Sequence, residues 1–130
     1  MKCLGIDFGT TSVKAVLFDE KLNEIATASE DYKVNASGNI VELPAEKYWS
    51  LLQNALGTIG NKSSIDCLAI DTQCETLILT DEDGNPVRDA IVWLDNRATE
   101  EAEIIEKHFG RKKSIRNYRP ARGYSNLAGL

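Results

Sequence analysis

Apolar and polar positions alternate from the second residue onward. Lys2–Asp7 reads as a strand, and Ser12–Asp19 as a second, with Val13, Ala15 and Leu17 on one face and Lys14, Val16 and Phe18 on the other. After a turn at Glu20-Lys21-Leu22-Asn23, Glu24–Tyr32 forms a third strand, with Ile25, Thr27 and Ser29 opposite Ala26, Ala28 and Glu30. Three consecutive strands of this kind predict an antiparallel meander. Val34–Leu43 reads as a loop carrying Gly38 and Asn39. The period then changes to that of a helix over Ala45–Ile59, started by Pro44 and stopped by Gly60-Asn61, with Tyr48, Leu51, Leu52, Ala55 and Ile59 on one face.

Ile65–Asp71 is short and strongly apolar, which predicts a central strand. Leu77–Thr80 and Val87–Trp93 read as partner strands about the turn Asp81-Glu82-Asp83-Gly84-Asn85-Pro86. Thr99–Phe109 is a second helix, with Thr99 as N-cap, Ala102, Ile105 and Phe109 facing inward, and Gly110 as the stop. The fold class is therefore α/β: a mixed sheet containing the meander, with helices packed on it.

Composition narrows the function classes. The chain has 130 residues, enough for one domain with a real core. Its apolar runs are too short to cross a bilayer, and Met1-Lys2 leads straight into a strand, so neither a membrane span nor a signal peptide is expected. The expected location is the cytoplasm. Cys3, Cys67 and Cys74 are odd in number with no CxxC spacing, so free thiols are expected rather than a disulfide or a zinc site. His108 is the single histidine and cannot build a metal cluster. Residues 1–110 carry a net charge of −11 and residues 111–130 a net charge of +6. The basic tail interleaves only Tyr118 and Tyr124, and the body is acidic, so nucleic acid is not the expected partner.

Candidate chemistry lies at two places. In the stretch from Gly5 to Asp19, Gly9-Thr10-Thr11 forms a tight turn between strands, where a Cβ at Gly9 would hinder the backbone. Consecutive N–H groups and two hydroxyls there suit phosphate oxygens. Asp7 stands where a carboxylate can hold hydrated Mg²⁺ beside them. No G-x-x-x-x-G-K-[ST] loop occurs. The plain alternative is an ordinary hairpin. The second place is Asp71-Thr72-Gln73-Cys74-Glu75-Thr76-Leu77, a polar shelf beyond an apolar strand. There Glu75 can accept from two sugar hydroxyls and Gln73 can donate and accept. In Ala90–Ala98, Trp93 offers a flat wall for the C–H face of a sugar, and Asp95 and Arg97 can bind hydroxyls or each other. The plain readings are a solvated Glu75, a core Trp93, a surface Asp95–Arg97 pair and a Cys74 that packs rather than attacks.

The combination of IDFGTTSVKAVLFDE, IDTQCETLILTDEDGNPVRDAIVW and WLDNRA resembles the FGGY carbohydrate kinases from about Lys2 to Gly110. The resemblance implies an actin-like ATPase (ribonuclease H-like) fold and transfer of phosphate from ATP, with Mg²⁺, to a sugar or polyol. Asp7, Gly9, Thr10, Thr11 and Lys14 match the loop that meets the metal and nucleotide phosphates. Gln73, Cys74 and Glu75 occupy the sugar-contact segment, and Trp93, Asp95 and Arg97 fall where family members line the sugar pocket. Glycerol kinases show an Arg at the Cys74 position, and xylulokinases usually show Met-His around Cys74-Glu75. A pentulose such as xylulose is the favoured substrate.

Family members are several times longer, with two actin-like domains flanking the active site. The catalytic base and most of the nucleotide site are implied beyond residue 130. The chain thus reads as a truncated amino-terminal portion, residues 1–110, that is inactive alone and lacks its second kinase domain. An exposed apolar surface left by that domain would favour a homo-oligomer. The alternative function is a non-catalytic actin-like module for binding or assembly. Arg116–Ala128 (RNYRPARGYSNLA) matches nothing expected there. Permitted codons read one nucleotide forward can spell EITDQHEVIATWP, near the family's ITGQPE…TWPA-like stretch. A frameshift near Lys112–Ile115 is the expectation for this basic tail, residues 111–130.

Overall fold

The computed structural model describes residues 1–60 and 65–110. Its elements run β1 (Cys3–Phe8), β2 (Ser12–Phe18), β3 (Glu24–Asp31), β4 (Asn35–Ser37), β5 (Ile40–Leu43), α1 (Ala45–Ile59), β6 (Cys67–Thr72), β7 (Ala90–Ile91) and α2 (Thr99–Phe109). The meander is present: β1 pairs antiparallel with β2, and β2 with β3. β6 returns parallel to β1, giving the strand order β3-β2-β1-β6. The sheet is therefore mixed.

Alternation along the strands decides where the core lies. Leu4 and Ile6 of β1, Val13, Ala15 and Leu17 of β2, and Ala28 of β3 are buried on one face. α1 covers that face with Tyr48, Leu51, Leu52, Ala55 and Ile59, the stripe its spacing predicts, joined by Ala45. Burying Leu51 and Leu52 contributes about 2 kcal/mol each. Pro44 precedes the helix, and Gly60, at φ 73°, ends it. The opposite face leaves Asp7 and Lys14 exposed.

Several expectations are corrected. Val34–Leu43 is not a plain loop, because Asn35–Ser37 and Ile40–Leu43 form a hairpin turned at Gly38, whose φ is +59°. β4 is polar and too short to show alternation, so no pattern announced it. The strands expected over Leu77–Thr80 and Val87–Trp93 reduce to the bridges Leu77↔Ile91 and Thr80↔Pro86 and to the two residues of β7, which pair with β5. β6 is apolar but not central. It lies at the edge of the described sheet with every residue exposed, Leu68 at 56% and Ile70 at 58%. Apolar content reports a need for burial, and no described strand lies beyond β6 to meet it. α2 likewise buries no residue, and Ile105 and Phe109 are exposed rather than inward. Ala98 occupies its N-cap position, and the Thr99 hydroxyl donates to the Asn96 carbonyl at 2.7 Å.

The cysteines are also corrected. Cys3 and Cys67 are joined in a disulfide with Cα atoms 4.7 Å apart, and only Cys74 is free. Parallel register is the reason. Cys3 and Cys67 are direct partners in the β1–β6 ladder, a pairing that a count of cysteines cannot reveal. Among the described residues no group of three or more His, Cys, Asp or Glu is placed to hold a metal ion, and no helix is long and apolar enough to cross a membrane. The basic tail, residues 111–130, lies outside the described residues.

Candidate functional site

Two loops leave the same end of the sheet because β1 and β6 run parallel. The first closes the β1–β2 hairpin, with the Gly9 amide donating to the Ser12 carbonyl at 2.9 Å. An added Cβ at Gly9 would sit 3.2 Å from that carbonyl oxygen, so close approach of the backbone is what asks for glycine. The Thr10 hydroxyl accepts from the Trp93 indole N–H at 3.1 Å. The Thr11 carbonyl accepts from the Tyr32 amide at 2.8 Å, and the Tyr32 phenol donates to the Gly9 carbonyl.

The second loop follows β6. The Gln73 amide donates to the Phe8 carbonyl at 2.8 Å, which extends the ladder to the very start of the first loop. The Gln73 side chain donates through Nε2 to the Tyr48 hydroxyl at 2.9 Å and to Tyr32 at 3.4 Å. Tyr32 and Tyr48 meet edge to face with centroids 5.6 Å apart, and both are buried. Burial of the Tyr32 phenol, with Tyr48 beside it, pushes its pKa above the usual tyrosine range. Cys74 and Glu75 follow with φ values of +50° and +60°, two consecutive left-handed residues that are not glycine. Such conformations cost about 1 kcal/mol or more each and cluster at ligand sites. Both side chains are exposed.

A cavity of about 440 Å³ lies beneath this shelf, lined by Phe8, Tyr48, Trp49, Gln73, Glu75 and Thr76 among others. Gln73 Oε1 and Thr76 Oγ1 are buried without a hydrogen-bond partner. Asp7 and Lys14 are on the other face of the sheet. Asp7 is the register partner of Lys14 on β2 and of Asp71 on β6, and all three line a cavity of about 310 Å³.

The structure thus joins Gly9, Thr10, Thr11, Gln73 and Trp93 through hydrogen bonds and places Cys74 and Glu75 on the adjoining rim. Asp95 and Arg97 are engaged elsewhere. The Asp95 carboxylate accepts from the Val41 amide at 2.6 Å and from Arg97 Nε at 2.8 Å and Nη2 at 2.7 Å. Arg97 also reaches Glu42 at 2.8 Å, and Arg88 donates to the same carboxylate. The Arg97 guanidinium first, then the Val41 amide, holds the Asp95 pKa down at about 2. Sequence reasoning missed Tyr32 as a site residue. The available signal was a hydroxyl-bearing aromatic that continues the Ala26, Ala28, Glu30 face just beyond the end of β3.

An antiparallel meander continued by a parallel strand, with a Gly-Thr hairpin and a polar shelf at one end, defines the actin-like ATPase fold. The chain belongs to the FGGY family of carbohydrate kinases, whose N-terminal domain it matches over residues 2–121. That match runs past residue 110 into the basic tail. The chain is 38% identical to a glycerol kinase of Marinomonas sp. over 103 residues, which is 74% of this chain and 21% of the relative. It is 29% identical to a xylulose kinase of Lactococcus lactis subsp. lactis, covering 84% of this chain and 23% of the relative. The crystal structure of Plasmodium falciparum glycerol kinase with ADP superposes with a TM-score of 0.73 at 28% identity, covering 82% of this chain and 23% of that one. The chain spans about a quarter of the length of the curated relatives it matches.

Proposed function

We propose that the chain supplies the phosphate loop and the sugar-contact shelf of an ATP-dependent carbohydrate kinase. The observation that carries this reading is the 2.8 Å bond from the Gln73 amide to the Phe8 carbonyl, which sets the shelf against the loop at one end of the sheet. Phosphoryl transfer depends on positioning and on offsetting charge. The Thr10 and Thr11 region faces the nucleotide phosphates, and Lys14 approaches them with Asp7 from the second cavity on the other face of the sheet. Glu75 and Gln73 take sugar hydroxyls, and Trp93 forms a wall. Asp95 and Arg97 act in this reading as the clamp that carries the Trp93 segment to Val41 and Glu42.

The fit to Mg²⁺ rests on donor chemistry: Asp7 offers exposed carboxylate oxygens, the hard ligands that such an ion takes through water. When bound, the ion offsets phosphate charge. Cys74, small where glycerol kinases carry Arg, leaves room beside Glu75 for a five-carbon ketose, so xylulose is the favoured acceptor, with gluconate and glycerol as competitors. The base and the second wall of the cleft are not among the described residues. A half cleft of this kind is inert, and the chain alone gives no sugar-dependent ATP hydrolysis.

Intrinsic fluorescence tests the reading. Trp49 lines the cavity and Trp93 touches the loop, so both tryptophans report. Titration with xylulose, gluconate and glycerol gives a saturable change for xylulose that Glu75→Gln removes. No change with any of the three contradicts the reading.

A second reading, an assembly module, is favoured by β6, an edge strand with every residue exposed. Open apolar edges recruit further strands. Sedimentation velocity beside the sugar titration separates the two: a dimer abolished by Leu68→Lys in a chain that responds to no sugar supports assembly, and a saturable sugar response, whatever the oligomeric state, supports the half cleft.

A further inference from the structure

The Tyr32 phenol fixes the direction of every hydrogen bond around it. A carbonyl oxygen only accepts, so the bond to Gly9 takes the single phenolic proton. Toward Gln73 the phenol therefore presents lone pairs, and the Gln73 amide must turn its NH₂ to it. The second NH₂ proton goes to Tyr48 at 2.9 Å. Gln73 Oε1 is thereby held in one direction, buried and with no protein partner. The backbone of Tyr32 holds the same loop a second time, through its amide to the Thr11 carbonyl at 2.8 Å. One buried residue thus grips the Gly-Thr loop at both ends and sets the amide of the shelf. The oxygen left over is an acceptor, so the ligand group that completes it is a donor, which in a sugar or polyol is a hydroxyl.

We propose that Tyr32 is a positioning residue that couples the phosphate loop to the shelf, aiming Gln73 Oε1 at a substrate hydroxyl while holding Gly9–Thr11. The purpose of the coupling rests on the kinase reading, but the coupling itself is observable without ligand.

The test is ¹³C,¹⁵N NMR of the full 130-residue chain. Gln73→Leu is made in the wild-type chain and in a Tyr32→Phe background, which keeps the ring and removes the hydroxyl. The expected result is that Gln73→Leu shifts the Gly9 carbonyl ¹³C and the Thr10 amide when Tyr32 is present, and leaves both unmoved in the Tyr32→Phe background. A purely structural role for Tyr32 predicts no such dependence. Unmoved Gly9 and Thr10 resonances, or equal shifts in both backgrounds, overturn the proposal. If Tyr32→Phe does not fold, the Tyr32 Cζ resonance decides in the Gln73→Leu chain: a Cζ that moves together with Gly9 and Thr10 supports the link, and a Cζ that stays in place overturns it, because the Gln73 amide also reaches the Phe8 carbonyl directly. Titration with xylulose and pyrophosphate then separates the two levels. A shift pattern that depends on Tyr32 without any response to either ligand keeps the link and overturns the kinase reading.

Discussion

Trp93 donates its indole N–H to the hydroxyl of Thr10 at 3.1 Å, across 83 residues of chain. This bond ties the segment that ends the small sheet to the tip of the β1–β2 hairpin. It gives the Trp93 indole a polar partner and joins the segment after β7 to the Gly9–Thr11 turn.

The first prediction concerns that bond. Thr10→Val and Trp93→Phe each lower stability by about 1 kcal/mol or more, and the double variant loses about 1 kcal/mol less than the sum, because the second change removes a partner already gone. Urea denaturation of the four chains measures the coupling. Full additivity means that the two side chains do not interact in solution.

Asp95 gives a second prediction. Its carboxylate joins Val41 to Arg97, and its side chain is 4% exposed. Asp95→Asn leaves one or more of these donors without a full partner and costs about 2 kcal/mol at neutral pH. The folded-state pKa, about 2, lies below the ordinary 3.8. The stabilisation is therefore fully present above about pH 4 and is lost as pH falls through about 2. Stability measured against pH shows this acid loss in the wild-type chain, and the loss is smaller in Asp95→Asn.

The left-handed pair at the shelf supplies a third. Cys74 has φ +50° and Glu75 has φ +60°. Cys74→Gly removes the Cβ penalty and raises stability by about 1 kcal/mol, less the extra entropy of the unfolded glycine chain. Glu75→Gly gives a similar gain and abolishes sugar binding. Thermal denaturation and the sugar titration together read both effects.

How far the sequence disclosed this molecule depended on whether a feature was local. Tyr48, Leu51, Leu52, Ala55 and Ile59 repeat at helical spacing, and they form the buried stripe of α1. Val13, Ala15 and Leu17 alternate, and they line the core from β2. Asn35–Ser37 is short and polar, so neither period shows, and its strand emerges only from pairing with Ile40–Leu43. The Cys3–Cys67 bond and the edge position of β6 are properties of a ladder between segments 64 residues apart. Local pattern carries no register between such segments. The loop and shelf residues stood out by type and spacing. Tyr32 did not, because its part in the site comes from what the fold lays beside it.

The central claim is that the Gly-Thr hairpin and the Gln73–Glu75 shelf face one cleft, the first serving a nucleotide phosphate and the second a sugar. The most direct measurement is an ¹H–¹⁵N titration of the chain with MgATP and xylulose. The account predicts that MgATP moves the amides of Gly9, Thr10 and Thr11, that xylulose moves those of Gln73, Cys74 and Glu75, and that each ligand also perturbs the other set. Responses confined to the exposed edge of β6 or to α2, with both sets silent, would contradict it.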